Sequence, residues 1–142
     1  MPTLTLKNIR TLDGQISTLT LNGPKDEVID GEGRLTAMPA LIDPNVHFRV
    51  PGQTYKEDYI SGAKAALAGG VTRIFDMPDN EPQTSTQERL DKKITLIEEQ
   101  LKEAKIPLRY NLFFGADGKT LESVLPGQGH LVNGLAVQDK GF

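Results

Sequence analysis

The residues best suited to chemistry in this chain are Asn45 and His47, which follow a short apolar run and precede Arg49. Side chains of an extended strand alternate between its two faces, so positions 45, 47 and 49 point the same way. Two histidines with this spacing can bind one metal ion, which in turn activates water for hydrolysis. Here an asparagine takes the first position, and its amide oxygen is a poorer zinc ligand than imidazole. The pattern predicts the frame of a metallohydrolase site, with His47 as a ligand and Asn45 at a degenerate ligand position.

Polar side chains also follow the other predicted strands. Those at predicted strand ends are Asp76, Asp79, Asn80, Asn111, Asp117, Gln138, Asp139 and Lys140. In a parallel α/β sheet, functional groups gather at the carboxyl ends of the strands, so these side chains predict a small-molecule site. We expect Asp76 to be structural instead, with its carboxylate bonded to loop backbone.

Strands that alternate with helices must position these residues, and the alternation begins at Ala40. The predicted elements are strands at 40–43, 71–76, 108–114 and 134–137 and helices at 54–68, 86–105 and 120–125. Thr54 with Glu57, and Ser85 with Glu88, have the spacing of N-terminal capping boxes. Such alternation is typical of parallel βαβ units with right-handed crossovers.

The first forty residues have a different pattern, because short runs alternate between apolar and polar residues. Leu4–Ile9 and Ile16–Leu21 are predicted strands, and Asp13-Gly14 between them is a strong hairpin signal. Glu27–Asp30 is a further short strand, and Gly31-Glu32-Gly33 turns the chain into residues 34–38. We therefore expect a small, mostly antiparallel β unit at 1–40 and a separate α/β domain at 41–142.

Length and composition exclude several classes of protein. At 142 residues the chain is too short for a complete eight-stranded α/β barrel, which needs roughly 250. The predicted fold class is therefore α/β, a partial (β/α) barrel of three to four strands after the β unit. A net charge of −3 gives no case for nucleic acid, and the absence of cysteine excludes disulfides and thiolate sites. Without an apolar run of about 20 residues or a signal-peptide pattern, we expect no membrane partner and a cytoplasmic location.

Two stretches of the chain carry a resemblance to a known family. The run from Leu41 to Asp58, with His47-Phe48-Arg49 and Pro51-Gly52-Gln53-Thr54, is similar to dihydroorotases of the amidohydrolase superfamily. So is Ala68-Gly69-Gly70-Val71-Thr72 with the following Phe75-Asp76-Met77-Pro78. The resemblance implies a TIM-barrel hydrolase of pyrimidine biosynthesis, preceded by part of a small β-sandwich. It also implies zinc-dependent interconversion of dihydroorotate and carbamoyl aspartate.

The resemblance assigns roles to individual residues. His47 corresponds to the second of two zinc-ligating histidines, and Arg49 would pair with the substrate carboxylate. Asp79 replaces the family's asparagine and puts a negative charge where that carboxylate should bind. Asn80, one position later, would take over its contact.

The fourth strand leaves two alignments open. One places the family's carboxylated lysine at Ala136, and the other places a ligand aspartate at Asp139, which we favour as a metal ligand. The remaining ligands and the general-base aspartate of the family have no counterpart in this chain. No catalytic residue is therefore assigned, and we expect no turnover by this chain alone.

Two hypotheses follow for function. The first is a dihydroorotase-like amidohydrolase present as an N-terminal portion. The second is a non-catalytic relative, a pseudoenzyme that acts as an interaction or scaffold subunit for an aspartate transcarbamoylase-like partner. Because half a barrel would expose apolar edges, we also expect a homo-oligomer or another partner.

Overall fold

Two sheets organise the part of the chain that the computed structural model describes, residues 1–116 and the strand Val132–Val137. They belong to two compact units, one spanning Met1–Pro39 and a second that begins at Ala40. The first sheet has three strands and the second has four.

The first unit is built on strand β1 (Thr3–Arg10), which lies between β2 (Ile16–Asn22) and β3 (Glu27–Asp30). β1 and β2 are antiparallel, which confirms the predicted hairpin, and Gly14 adopts the left-handed conformation (φ +84°) that its turn requires. β3 pairs with β1 in parallel, so the three-stranded sheet is mixed, whereas a mostly antiparallel unit was predicted. The alternation of apolar and polar residues identifies a strand but not the direction of its partner, which explains this difference. Thr36 forms an isolated parallel bridge with Arg10.

The second unit contains a parallel sheet in the order β4-β5-β6-β7. Its strands are β4 (Leu41–Val46), β5 (Val71–Asp76), β6 (Arg109–Ala116) and β7 (Val132–Val137). All three neighbouring pairs are parallel, as the alternation predicted. Among the strands of the described residues, β4 lies at one edge of this sheet, and its Leu41 and Ile42 side chains are exposed.

Helix α1 (Tyr59–Ala68) begins five residues later than predicted. Asp58 is its N-cap, and the carboxylate accepts a hydrogen bond from the Ser61 amide at 2.7 Å. Ser61 completes a capping box with Asp58, so the box predicted at Thr54 and Glu57 was wrong. The error arose because aspartate caps a helix at least as well as threonine, and two candidate boxes overlap in this stretch.

Helix α2 (Gln87–Ala104) lies close to its predicted range. Thr86 is the N-cap and accepts from the Arg89 amide at 3.3 Å, one residue beyond the predicted Ser85. Lys105 ends the helix in the left-handed conformation. None of the helices in the described part of the chain has the length and apolarity needed to cross a membrane.

The hydrophobic core of the second unit joins both helices to the strands. Its buried members are Phe48, Val50, Tyr59, Ala63, Ile74, Leu90, Ile97, Leu101, Leu108, Leu112 and Phe114. The Tyr59 ring packs edge-on against Phe48, with centroids 5.0 Å apart, and against Tyr110 at 6.1 Å. The residues that follow β4 therefore belong to the core, which holds the ends of β4 and β5 in place.

Candidate functional site

Three of the predicted site residues meet where β4 and β5 end. One oxygen of Asp79 lies 2.8 Å from His47 Nδ1, and the other accepts a hydrogen bond from Arg49 Nη1 at 3.0 Å. The side chains are 38% exposed for His47, 28% for Arg49 and 22% for Asp79, so a ligand could still reach all three. The structure thus pairs the Arg49 guanidinium with the Asp79 carboxylate.

The backbone at Arg49 brings its side chain to this place. Arg49 adopts a left-handed conformation with φ +62°, which costs an L-residue roughly 1–2 kcal/mol. The chain turns here, since the Gln53 amide donates to the Arg49 carbonyl at 3.0 Å. The ion pair with Asp79 helps to offset the cost of this conformation.

Asp79 is held in its charged form. Partial burial alone would raise the pKa of its carboxyl group, but the hydrogen bond and charge of His47 and the charge of Arg49 outweigh burial and lower that pKa. Asp79 therefore stays a carboxylate at neutral pH, and it neutralises the guanidinium beside it.

The contact with Asp79 also sets the role of each His47 nitrogen. A carboxylate only accepts hydrogen bonds, so Nδ1 carries the proton in the 2.8 Å contact. In the neutral ring Nε2 then carries the lone pair, the arrangement by which carboxylates orient metal-binding histidines. His47 can therefore accept a proton or bind a metal ion through Nε2.

The donor set does not make up a zinc site. Asn45 is exposed, and its backbone amide donates to the Asp43 carboxylate at 3.0 Å. Within residues 1–116 and 132–137, no group of three or more His, Cys, Asp or Glu side chains is arranged to hold a metal ion. His47 and Asn45 would provide one imidazole and one amide, which falls short of the usual four ligands. Asp139, the third predicted ligand, lies outside the described residues.

A buried cluster centred on Asp76 supports the loops that carry His47, Arg49 and Asp79. Asp76 Oδ1 accepts from the Phe48 amide at 3.0 Å, as its predicted structural role requires. The other oxygen accepts from the Tyr59 hydroxyl at 2.7 Å and lies 2.8 Å from Lys93 Nζ. Asp76 and Lys93 have no exposed side-chain surface. The Phe48 amide lies between His47 and Arg49 in the chain, so the cluster fixes the backbone that carries both.

Lys93 extends the cluster to the loop that carries Asp79. Its ammonium group donates to the Met77 carbonyl at 3.0 Å and to Asn80 Oδ1 at 2.7 Å. Asn80 in turn donates to the Val50 carbonyl at 2.8 Å and accepts from Thr84 at 3.1 Å. Asn80 is buried and its amide is used within the protein, so the structure does not bring it together with Arg49.

Burial shifts the pKa values of two members of this cluster. It lowers the pKa of the Lys93 ammonium, although the charge and hydrogen bond of Asp76 oppose the shift. It raises the pKa of the Tyr59 phenol well above 10, and the Asp76 carboxylate adds to that effect. Both pKa shifts arise because burial removes the charged form of the group from water. For Lys93, the ion pair with Asp76 offsets part of this desolvation cost.

Lys93 is a residue of the functional region that the sequence patterns did not single out. It lies three residues after Leu90 and four before Ile97, and both of those side chains are buried core residues of α2. A lysine on the apolar stripe of a helix needs a buried partner, because an unpaired charge in a core is costly. The position of Lys93 on this stripe could therefore have indicated a buried ion pair from the sequence alone.

Curated dihydroorotases match the chain in sequence. The protein from Sulfurihydrogenibium sp. is 57% identical over 56 residues, or 39% of this chain and 13% of the relative. The protein from Methanosarcina acetivorans is 46% identical over 71 residues, which are 50% of this chain and 15% of the relative. The protein from Lactobacillus johnsonii is 42% identical over 84 residues, which are 58% of this chain and 20% of the relative. The matched part is thus a fifth or less of these relatives, and no protein-family model matches the chain.

A solved structure matches in fold. The L-hydantoinase (dihydropyrimidinase) from Arthrobacter aurescens superimposes with a TM-score of 0.68 at 21% sequence identity. The match covers 86% of this chain and 30% of the hydantoinase. At this identity the match supports a shared α/β fold.

Proposed function

We propose that this dihydroorotase-like chain contributes the substrate-recognition side of a cyclic amidohydrolase site and does not catalyse turnover by itself. The observation that carries the proposal is the meeting of His47, Arg49 and Asp79 at the ends of two neighbouring parallel strands. Sequence similarity to dihydroorotases and fold similarity to a hydantoinase support the reaction class.

The domain organisation is part of the proposal. Residues 1–40 would form a portion of the small β-sandwich, and 41–142 the first strands of a (β/α) barrel. The change of unit between Pro39 and Ala40 and the four parallel strands that follow support this assignment.

Hydrolysis of a cyclic amide requires attack of water on the carbonyl carbon, cleavage of the C–N bond and protonation of the departing nitrogen. Arg49 has five N–H donors in a planar fork and would bind a ligand oxygen. His47 Nε2 would accept a proton or a hydrogen bond, with Asp79 holding the ring. These groups bind and orient a ligand. We propose zinc as the source of the attacking hydroxide in the family reaction, but the described residues do not form its site.

Metal content and hydrolysis of dihydroorotate, measured together, test this function. We expect the purified chain to hold well under one zinc per molecule and to show no turnover above background. The Asn45→His variant restores the second imidazole and should raise zinc affinity, since imidazole is the better ligand. Stoichiometric zinc with turnover that Asn45→His barely improves would contradict the proposed lack of turnover. No zinc binding by either protein would remove the support for an amidohydrolase site.

A second candidate is a non-catalytic subunit that supports an aspartate transcarbamoylase-like partner or its own copies. The degenerate position of Asn45 and the exposed edge residues Leu41 and Ile42, at 45% and 59% exposure, favour it. Sedimentation velocity alone and with an aspartate transcarbamoylase distinguishes the two candidates. A chain that sediments as a monomer, both alone and in the presence of the aspartate transcarbamoylase, argues against the scaffold role.

A further inference from the structure

We infer that Asp79 is a resident counter-ion for Arg49 and that the site therefore selects cyclic amides without a carboxylate over those that carry one. This inference rests on the proposed function, because it concerns the ligand of the same site. Asp79 is the residue that determines specificity, and uncharged cyclic amides and ureides are the ligand class.

Charge is the first reason for this selection. Arg49 is the cationic group that would recognise a ligand carboxylate, and it already binds the Asp79 carboxylate at 3.0 Å. A second carboxylate at Arg49 would lie within a few ångströms of Asp79, and like charges at that distance repel strongly in a partly buried site. Because the pair is only partly exposed, water screens this repulsion incompletely.

Asp79, in addition, cannot easily leave its place. The loop is held from the interior two residues before Asp79 and one residue after it: Lys93 Nζ donates to the Met77 carbonyl at 3.0 Å and to the Asn80 amide oxygen at 2.7 Å. His47 holds the other carboxylate oxygen at 2.8 Å. A competing carboxylate would have to displace an intramolecular group of high effective concentration.

The ion pair also suits an uncharged ring. A cyclic amide or ureide presents an N–H donor next to a C=O acceptor. The Asp79 carboxylate has lone pairs left to accept the N–H, and Arg49 has N–H groups beyond Nη1 to donate to the C=O. The Asp79–Arg49 pair thus presents the complementary acceptor and donor side by side, without an exposed net charge.

Two ligands that differ only in the carboxylate test the inference: L-dihydroorotate and 5,6-dihydrouracil. Binding is measured by NMR titration of the full 142-residue chain, with His47 and Arg49 side-chain signals as the readout. We expect the native chain to bind dihydrouracil more tightly than dihydroorotate. Asp79→Asn should tighten dihydroorotate binding at least tenfold without improving dihydrouracil binding, and Asp79→Ser should repeat the effect.

Glu81→Gln is the matched control. It removes the same charge two residues further along the same loop, from an exposed side chain. It should leave the preference for dihydrouracil unchanged. Adding Arg49→Gln to Asp79→Asn should abolish the gained dihydroorotate binding, because the cation that receives the carboxylate is then missing.

The outcomes separate this inference from the function on which it rests. If both rings bind but Asp79→Asn leaves dihydroorotate affinity unchanged, or Glu81→Gln raises it equally, the inference is overturned and the amidohydrolase assignment survives. If neither ring binds any of the variants, both are overturned. Because binding and not turnover is the readout, a chain without hydrolytic activity can still be tested.

Discussion

The ammonium group of Lys93 lies 2.8 Å from the carboxylate of Asp76, and neither side chain has any surface exposed to solvent. The pair joins α2 to the end of β5. Its other bonds reach Phe48 in one loop and Met77 and Asn80 in the other. The candidate site therefore depends on a charge pair that no ligand can touch.

Lys93→Met should be strongly destabilising, because it leaves the Asp76 carboxylate buried without its cation. Breaking a buried pair in this way costs about 3–5 kcal/mol. Urea denaturation gives the change in the free energy of unfolding. The control is Lys92→Met: Lys92 is exposed and pairs with Glu88 along the helix surface, so its loss should have little effect on stability. Equal effects of the two changes would contradict the structural role of Lys93.

Tyr59→Phe should be destabilising by about 1.5–3 kcal/mol, the range for a lost hydrogen bond to a charged group. The ring still fills its place between Phe48 and Tyr110, so the change isolates the hydroxyl that donates to Asp76 at 2.7 Å. Tyr55→Phe is the control, since the Tyr55 side chain is 81% exposed and should change stability by less than about 0.5 kcal/mol. Thermal unfolding of both variants provides the comparison.

Two of the chain's three tyrosines should resist ionisation at alkaline pH. Burial and then Glu98 raise the pKa of Tyr110 to about 12, and burial and Asp76 raise that of Tyr59 well above 10. The folded state then binds more protons than the unfolded state above pH 10. The stabilisation is complete below that pH and is lost as pH rises towards and beyond 12.

Tyrosinate absorbance, titrated in the folded chain and in urea, measures this effect. We expect two phenols of the folded chain to ionise at higher pH than the third. In the unfolded chain all three phenols should ionise near pH 10. Tyr110→Phe should remove the step near pH 12. Coincident titration curves for the folded and unfolded chain would contradict the burial of the Tyr59 and Tyr110 phenols and their proximity to Asp76 and Glu98.

Gly52→Ala should be destabilising and should disturb the candidate site. Gly52 has φ +90°, and a Cβ atom there would lie 1.7 Å from the Glu81 carbonyl oxygen, so the two loops would have to separate. Gly14→Ala is the matched control, because Gly14 has φ +84° with no atom within 4 Å of the added Cβ. Gly14→Ala should cost about 1–2 kcal/mol, from the backbone conformation alone.

Gly52→Ala should exceed that cost by roughly 1–3 kcal/mol, the usual effect of overpacking. The His47 ring signals should also shift in the Gly52 variant and stay in place in the Gly14 variant. A Gly52 variant as stable as the Gly14 variant would mean that the two loops do not touch.

Periodic and local signals in the sequence predicted much of this architecture. The strand predicted at 71–76 matches β5 to the residue, and Asp13-Gly14 predicted the first hairpin, because both signals lie within a few neighbouring residues. Positions 45, 47 and 49 were expected on one face of a strand, but β4 ends at Val46. His47 and Arg49 meet the Asp79 carboxylate from the loop that follows, and Arg49 does so in a left-handed backbone conformation.

Interactions between distant segments were harder to predict. The pairing of Asp79 with Arg49, thirty residues apart, depends on how two loops lie against each other, which the pattern of neither loop contains. Asn80 is a polar residue next to the site, but its side chain faces inward, where the amide accepts from Lys93 and donates to the Val50 carbonyl. Asp79 and Asn80 are neighbours in the loop, yet one side chain faces the site and the other the interior, and the sequence does not indicate which.

The buried cluster also determines how this region can move. Asp76 and Asn80 bond to the Phe48 amide and the Val50 carbonyl, so the loops after β4 and β5 share internal hydrogen bonds that must break before either separates. Their amides should exchange with solvent as one cooperative opening unit. A ligand at Arg49 would meet a stiff surface, and its binding would select among side-chain positions more than among backbone conformations.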